Sequence, residues 1–183
     1  MTVSPFLVPI TSLRRTPGAR REEHRRGPLG AADGTSALEV TASGVPAGSD
    51  VVVDVVLEVV YGGIVVTGTV AAAWEGECRR CLQTARGGLR GEVREVYRPH
   101  AAGEPADEET YPLGADHLDL RPLARDAVLL ELPLAPLCRP GCAGLCPICG
   151  ADLNTDRCAC PPALSDPRWA ALDALRGGSS HRR

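Results

Sequence analysis

The clearest pattern in the chain is an alternation of apolar and polar positions between residues 37 and 98. From Val51 to Tyr61 the odd positions are apolar up to Val59 and the even positions are mixed, which predicts a strand with one buried face. Gly62-Gly63 follows as a hairpin turn, and short connections between strands favour antiparallel pairing. The predicted strands of this β-meander cover residues 38–42, 51–61, 64–74 and 89–97.

The spacing of apolar residues changes to a helical period after Asp119. Asp119 can accept the first backbone N–H groups, Pro122 suits the first turn, and Pro133 ends the segment, so a helix is predicted over 119–132. It is expected to pack on the sheet, which makes the fold class α+β. Asp166-Pro167 predicts the start of a short closing helix.

The regions between these elements complete the predicted organisation. Composition predicts a flexible basic arm, an acidic loop with six acidic residues between Glu104 and Asp119, and a Cys-rich segment. No stretch reaches the ~20 apolar residues of a membrane span, and no signal peptide is recognised, which favours the cytosol. The predicted divisions are 1–36 (arm), 37–136 (β-rich domain with loop 99–118 and helix 119–132), 137–178 (Cys-rich segment and terminal helix) and 179–183 (disordered tail).

Six of the eight cysteines fall close together near the carboxyl end, in the spacing C-x3-C-x3-C-x2-C followed by C-x-C. Reduced thiols in this density indicate a metal, and Cys146-Pro147-Ile148-Cys149-Gly150 has the form of a zinc knuckle. A structural Zn²⁺ is predicted in preference to an iron–sulfur cluster or a catalytic zinc. The second ligand pair stays open between the two remaining pairs. Four ligands are therefore expected from Cys138, Cys142, Cys146, Cys149, Cys158 and Cys160.

Cys78 and Cys81 form a separate C-x-x-C pair between two predicted strands. A thioredoxin-like pair belongs at a strand-to-helix junction, so this position argues against redox chemistry without excluding it. The pair is interpreted either as a tight knuckle in a hairpin or as two ligands of a metal shared with the C-terminal cysteines, in which case eight thiolates would form two sites.

Arginines mark two candidate phosphate-binding surfaces. The arm carries six arginines and two glutamates from Arg14 to Arg26, and Arg20 and Arg21 are among them. A second group follows Gly76, where three arginines share the strand face opposite the predicted core. Evenly spaced arginines suit a phosphate backbone, although a solvated face is the plainer interpretation. The candidate RNA-binding residues are Arg14, Arg15, Arg79, Arg80, Arg86, Arg90 and Arg94.

Several motifs together resemble the bacterial YceD family, the large-ribosomal-RNA-subunit accumulation proteins. The resemblance extends in order over nearly the whole chain. Its motifs are the Leu13–Gly18 element (L-x-R-x-P-G), Gly76–Leu82 (G-x-C-x-R-C-L), the Asp119–Pro136 helix, Cys138–Asn154 (C-x-x-x-C-x-G-L-C-x-x-C-G-x-x-L-N) and the Asp166-Pro167-Arg168 start of a closing helix.

The resemblance implies a non-enzymatic role in processing or accumulation of large-subunit ribosomal RNA, with that RNA or a large-subunit ribosomal protein as partner. It also implies that Cys78 and Cys81 are widely shared in the family, whereas its C-terminal cysteines vary. No catalytic motif is recognised in the sequence. Two alternatives remain open: a zinc-stabilised module that chaperones a ribosomal protein through the acidic loop, and a thiol redox protein that uses Cys78 and Cys81.

Overall fold

The computed structural model describes residues 4–29, 38–99, 109–161, 168 and 172. The chain divides into two compact units, Met1–Pro140 and Gly141–Arg183. The elements of the described residues all lie in the first unit and form an α+β fold, as predicted. They are β1 (Leu7–Pro9), a 3₁₀ turn (Leu13–Arg15), β2 (Arg20–Pro28), β3 (Glu39–Val40), β4 (Ser43–Gly44), β5 (Asp50–Val60), β6 (Gly63–Glu77), β7 (Thr84–Pro99), β8 (Tyr111–Leu113), β9 (His117–Asp119) and α1 (Arg121–Glu131).

A seven-stranded sheet forms the body of the first unit. Strands β2, β5, β6 and β7 lie side by side in that order and are antiparallel, whereas β8 joins β7 in parallel. The two-residue strands β3 and β4 pair with each other, and β4 also pairs with the end of β6. Gly62 takes a φ of 77° in the hairpin turn between β5 and β6, a conformation that glycine adopts without steric cost.

The core lies between this sheet and α1. The odd positions of β5 from Val51 to Leu57 are buried, as the alternation predicts, and the even positions Ile64, Val66 and Val70 of β6 face the same side. The helix contributes the buried residues of one face, at i, i+1, i+4 and i+5 spacing. These are Leu123, Ala124, Ala127 and Val128.

The helix begins slightly later than the sequence predicts. It starts at Arg121 instead of Asp119, because Asp119 still belongs to β9. Asp119 Oδ1 nevertheless accepts the backbone N–H of Arg121 at 3.0 Å, so the carboxylate does satisfy a donor of the first turn. The helix ends at Glu131, two residues before Pro133.

The prediction of a flexible arm over 1–36 is wrong for the part that the structure describes. Arg20–Pro28 forms β2, which pairs with β5 along its whole length. Two of its arginines face acidic partners on β5: Arg20 Nη2 lies 2.9 Å from Glu58 Oε2, and Arg26 Nε lies 2.7 Å from Asp50 Oδ2. Backbone pairing with β5 thus gives this polar segment an extended structure, to which the ion pairs between the strands add, and composition alone does not predict it.

Part of the predicted acidic loop is also ordered. Strands β8 and β9 lie within 99–118 or at its end, and β9 pairs with β1. The ring of Tyr111 in β8 stacks on that of Tyr97 in β7, with centroids 5.2 Å apart. Residues 100–108, most of the closing helix and the predicted tail 179–183 lie outside the described residues. Within the described part of the chain, no helix is long and apolar enough to cross a membrane.

Candidate metal centres and basic surface

The first candidate centre begins in the turn between β6 and β7. Cys78 donates its backbone N–H to Gln83 O at 2.8 Å, and Leu82 donates to Cys78 O at 2.9 Å, which closes a tight turn. Leu82 takes a φ of 62°, and a non-glycine residue in this left-handed region is uncommon. The turn directs the side chains of Cys78 and Cys81 inward, where both are buried.

A third thiol reaches the same place from the segment after α1. Arg79 donates its backbone N–H to Pro136 O at 3.0 Å, which fixes that segment against the turn. Cys138 Sγ then lies 3.6 Å from Cys81 Sγ, although 57 residues separate them in sequence. The Sγ atoms of Cys78, Cys81 and Cys138 all lie within 4.8 Å of one another. We call these three residues the turn centre.

The turn centre favours the ionised form of one thiol. Burial raises the pKa of Cys78, but hydrogen bonds from the backbone N–H groups of Cys138, Cys81 and Arg80 outweigh it. The result is a pKa lowered from 9.0 to about 6. Backbone donors that converge on a sulfur stabilise a thiolate, which is the form that binds metals.

The second candidate centre lies entirely in the second unit and is built on the predicted knuckle. Cys146 O accepts the N–H of Gly150 at 2.9 Å, and Cys146 donates its own N–H to Ala151 O at 2.8 Å. Gly150 takes a φ of 74°, as the knuckle predicts for this glycine. The four Sγ atoms, which all lie within 4.8 Å of one another, belong to Cys146, Cys149, Cys158 and Cys160. We call these four residues the knuckle centre.

The thiols of the knuckle centre differ sharply in acidity. Hydrogen bonds from the backbone N–H groups of Cys149 and Ile148 lower the pKa of Cys146 to about 6, against the opposing effect of burial. The pKa of Cys160 rises to about 12, mainly through the hydrogen bond between its thiol and Cys149 and secondarily through burial. Four sulfurs this close cannot all carry negative charge unless a cation lies among them.

Asn154 organises the segment between the two pairs of the knuckle centre. Its Oδ1 accepts the backbone N–H of Ala143 at 2.8 Å, and its Nδ2 lies 3.5 Å from Cys142 Sγ. Its own backbone N–H donates to Asp152 Oδ1 at 2.9 Å. The side chain therefore connects both ends of the loop that carries the knuckle.

The structure thus divides the cysteines between two centres, which agrees with the interpretation in which Cys78 and Cys81 meet C-terminal cysteines and not with a hairpin knuckle formed by that pair alone. Of the two ligand pairs that the sequence leaves open, Cys158 and Cys160 join the knuckle. Cys138 instead joins Cys78 and Cys81. Along the sequence, each of the two C-x-x-C pairs is followed by a second pair with a different spacing. This order is compatible with two centres, but the spacing alone does not say which pairs meet.

The predicted RNA-binding arginines do not form one patch. Arg79 and Arg80 are exposed in the turn after β6, whereas Arg14 lies beside the Gly62 hairpin, at the other end of that 15-residue strand. Arg15 follows Arg14 in the 3₁₀ turn. Arg14 donates to Ala115 O at 2.9 Å and to Gly114 O at 3.3 Å.

The arginines of β7 form an exposed row on the sheet face opposite α1. The row consists of Arg86, Arg90 and Arg94. Arg86 Nε lies 2.7 Å from Glu75 Oε2, whereas Arg90 and Arg94 have no ion-pair partner among the described residues. The strand register places Arg26 of β2 in the same cross-strand row as Arg90. This face of the sheet therefore includes an arginine that the sequence analysis assigns to the flexible arm.

Comparison with known proteins decides the family. Residues 66–176 match the model of the family described as "Large ribosomal RNA subunit accumulation protein YceD". The chain belongs to the YceD family. The matched range contains all eight cysteines and the arginine row of β7, whereas β1, β2 and β5 precede it.

Individual relatives extend the match. An uncharacterized protein of Mycobacterium tuberculosis is 39% identical over 180 residues, covering 97% of this chain and 84% of that protein. An uncharacterized protein of Mycobacterium leprae is 35% identical over 176 residues, covering 93% of this chain and 77% of that protein. The chloroplastic YCED homolog 1 of Zea mays, named a large ribosomal RNA subunit accumulation protein, is 40% identical over 57 residues, covering 31% of this chain and 20% of that protein. No solved structure matches the chain.

Proposed function

We propose that this protein is a non-enzymatic factor that promotes the processing or accumulation of large-subunit ribosomal RNA. The observation that carries the proposal is the family match, which includes the β6–β7 hairpin, α1 and both candidate metal centres. The name of the Zea mays relative points to the same process. Such a role fits a cytoplasmic location, where bacterial ribosomes are assembled.

The arrangement of thiols in the knuckle centre favours the non-enzymatic part of the proposal. In the knuckle centre, the four thiols would supply all four positions of a tetrahedral Zn²⁺. A catalytic zinc keeps one position open for water or substrate, so a closed set of four thiolates favours stabilisation of the fold over chemistry. The four residues that would hold a Zn²⁺ here are Cys146, Cys149, Cys158 and Cys160, and the ion would stabilise the fold without taking part in a reaction.

Direct contact with RNA is the mechanism that we propose for this role. Arg90 and Arg94 are exposed on the same strand face, and neither is neutralised by an ion pair within the described residues. Phosphate contacts by such side chains give affinity without sequence specificity. Arg79 and Arg80 extend the basic surface at the end of the hairpin.

The proposed role is tested by depleting the protein in cells. We expect the ratio of mature large-subunit to small-subunit ribosomal RNA to fall, and we expect the wild-type chain to restore it. An unchanged ratio after complete depletion would contradict the proposed function.

The proposed RNA contact is tested separately by binding purified protein to fragments of large-subunit ribosomal RNA over a range of salt concentrations. Arg90→Ala and Arg94→Ala should each weaken binding and reduce the salt slope by up to about 0.9 for duplex or about 0.7 for single strands. Arg125→Ala is the matched control, because Arg125 lies on α1, on the other side of the sheet. Absence of binding at low salt would exclude direct contact and leave action through a ribosomal protein.

A further inference from the structure

Strand β7 has no neighbouring strand along most of one edge, within the described part of the chain. On one side it pairs with β6 from Thr84 to Tyr97, whereas on the other side only its last three residues pair, with β8. In an antiparallel pair every second residue directs its backbone N–H and C=O groups away from the partner strand, so residues 84–96 present a row of unpaired groups about 40 Å long. We propose that this edge binds an extended, basic segment of a partner protein, which adds a strand to the sheet beside β7. This inference goes beyond the proposed function and does not depend on RNA binding.

A cavity beside this edge is placed to receive a side chain of the added strand. It lies between β7 and α1 and has a volume of about 100 Å³. This is well below the about 300–1,000 Å³ of an ordinary small-molecule pocket, so the cavity suits one side chain of a peptide better than a separate ligand. Its wall on the helix side consists of residues that share one side of α1, namely Leu123, Asp126, Ala127, Leu130 and Glu131.

The charge of the cavity favours a basic partner. All the charged residues in its lining are acidic: Glu92, Glu95, Asp126 and Glu131. Tyr111 also lines the cavity and donates its hydroxyl to Asp126 Oδ2 at 2.7 Å. Burial, the hydrogen bond to Asp126 and the negative charges of Asp126 and Glu95 raise the pKa of Tyr111, which shows that both carboxylates act on the same space. Lysine or arginine side chains at alternate positions of an added strand would face these carboxylates.

An exposed leucine gives the cavity an apolar rim. Leu130 lines the cavity but is largely exposed, so it contributes little to the core of the chain. The methylene groups of a lysine or arginine would pack on Leu130 while the charged end of the side chain reaches the carboxylates. Strand addition works in this way, since backbone hydrogen bonds supply affinity and pockets for alternate side chains supply specificity.

Two other occupants of the edge match this charge less well. Residues 100–108 lie between β7 and β8 in the sequence and contain three acidic residues but no lysine or arginine, so the carboxylates of the cavity would repel them. A second copy of the chain would present its own β7, which contains glutamates as well as arginines. A uniformly basic segment is the better complement.

The proposal is tested by hydrogen exchange of the full-length, reduced protein with a short synthetic peptide of alternating lysine and valine as the probe. In the free protein, alternate amides within residues 84–96 should exchange rapidly, and the peptide should slow their exchange while the amides of β2 stay unchanged. The same peptide methylated on every backbone nitrogen keeps its charge but donates no hydrogen bond to β7, so it should bind about tenfold more weakly or worse. A peptide of alternating glutamate and valine should not bind.

A charge reversal in the cavity tests the choice of partner. Glu131→Arg should weaken binding of the lysine peptide by about fivefold or more, because an attraction is replaced by a repulsion. A cation at the end of α1 is favourable to the helix, so the fold should be retained. Glu22→Arg is the matched control, since it changes the net charge equally on β2, at the other end of the strand order.

Several outcomes would overturn the proposal. Full protection of the amides of 84–96 in the free protein would show that the chain itself or a second copy already covers the edge. Absence of peptide binding, binding without protection of β7, or equal binding of the methylated peptide would exclude strand addition. Equal loss of binding in Glu131→Arg and Glu22→Arg would show that the cavity does not select the basic side chains.

Discussion

The two units of the chain are each stabilised internally, and by different interactions. The hydrophobic core of the described residues lies in the first unit, where Phe6, Leu123 and Tyr97 are almost fully buried. In the described residues of the second unit, the buried apolar side chains are those of Cys142 and Cys146 alone. The comparison teaches that burial can stabilise the first unit, whereas the second depends on local hydrogen bonds and on its thiols.

The largest expected effect is the loss of a knuckle ligand. Cys146→Ser should unfold the second unit, because metal binding supplies apparent energies of about 10–16 kcal/mol in small zinc-binding segments. Limited proteolysis should then cut within 141–161 while the sheet of the first unit stays intact. Ile148→Ser is the matched control, since Ile148 is exposed in the same knuckle. Equal resistance of both variants would contradict this account of the second unit.

A substitution in the hydrophobic core should instead destabilise the first unit. Leu123 is 1% exposed, and Leu123→Ala should lower the free energy of unfolding of the first unit by about 2–5 kcal/mol through lost burial and the cavity left behind. Leu130 lies on the same helix but is 84% exposed, so Leu130→Ala should change it by less than about 0.5 kcal/mol. Chemical denaturation followed by circular dichroism measures both, and similar losses would show that α1 does not pack as described.

A smaller effect is expected at the glycine that ends the knuckle. Gly150 takes a φ of 74°, and nothing lies within 4 Å of the position that a Cβ atom would occupy. Gly150→Ala should therefore cost about 1–2 kcal/mol from backbone strain alone and should weaken zinc retention against a competing chelator. Gly141→Ala, which also has open space and no positive φ, is the control. Unchanged retention in Gly150→Ala would show that the turn does not support the metal.

The smallest effect concerns the first unit at high pH. Burial, followed by the charge of Tyr111, holds the pKa of Tyr97 far above its usual value near 10, and its hydroxyl donates to Asp119 O at 3.0 Å. Because the pKa is raised in the folded state, this stabilisation is fully present below about pH 10 and declines as the pH rises further. Tyr97→Phe should cost about 0.5–1.5 kcal/mol at neutral pH and should reduce the loss of stability in alkali.

The control for Tyr97 is Tyr61→Phe, because Tyr61 is fully exposed. Urea denaturation at pH 8 and again above pH 10 compares both variants with the wild type. A wild-type stability that stays constant through this range, or an equal response in the two variants, would contradict the role assigned to Tyr97.

The sequence predicts the parts of the first unit that follow a simple period. Alternation identifies the buried face of β5, since the period of two is a property of the strand itself and can be recognised without knowing which residues cover that face. It does not identify β2, which consists mostly of charged residues and pairs with partners such as Glu58 and Asp50, which lie 38 and 24 residues from Arg20 and Arg26. Local patterns contain no information about such cross-strand pairs.

The candidate metal centres show the same limit. The knuckle around Cys146 and Cys149 is predicted because its ligands and turn glycine are neighbours in sequence. The meeting of Cys81 with Cys138 is only one of two interpretations that the sequence leaves open for the Cys78–Cys81 pair, because choosing between them requires the β6–β7 turn and the end of α1 to be placed in three dimensions first. The presence of a thiol metal site is therefore easier to predict from the sequence than the set of thiols that would share one ion.

Hydrogen exchange of the full-length, reduced protein before and after metal removal tests the contrast between the two units most directly. The account predicts that the amides of Cys146, Gly150 and Leu153, which donate hydrogen bonds within the second unit, lose their protection when metal is removed. The amides that join β5 to β6 should keep theirs. Unchanged protection of the second unit after complete metal removal would contradict the account.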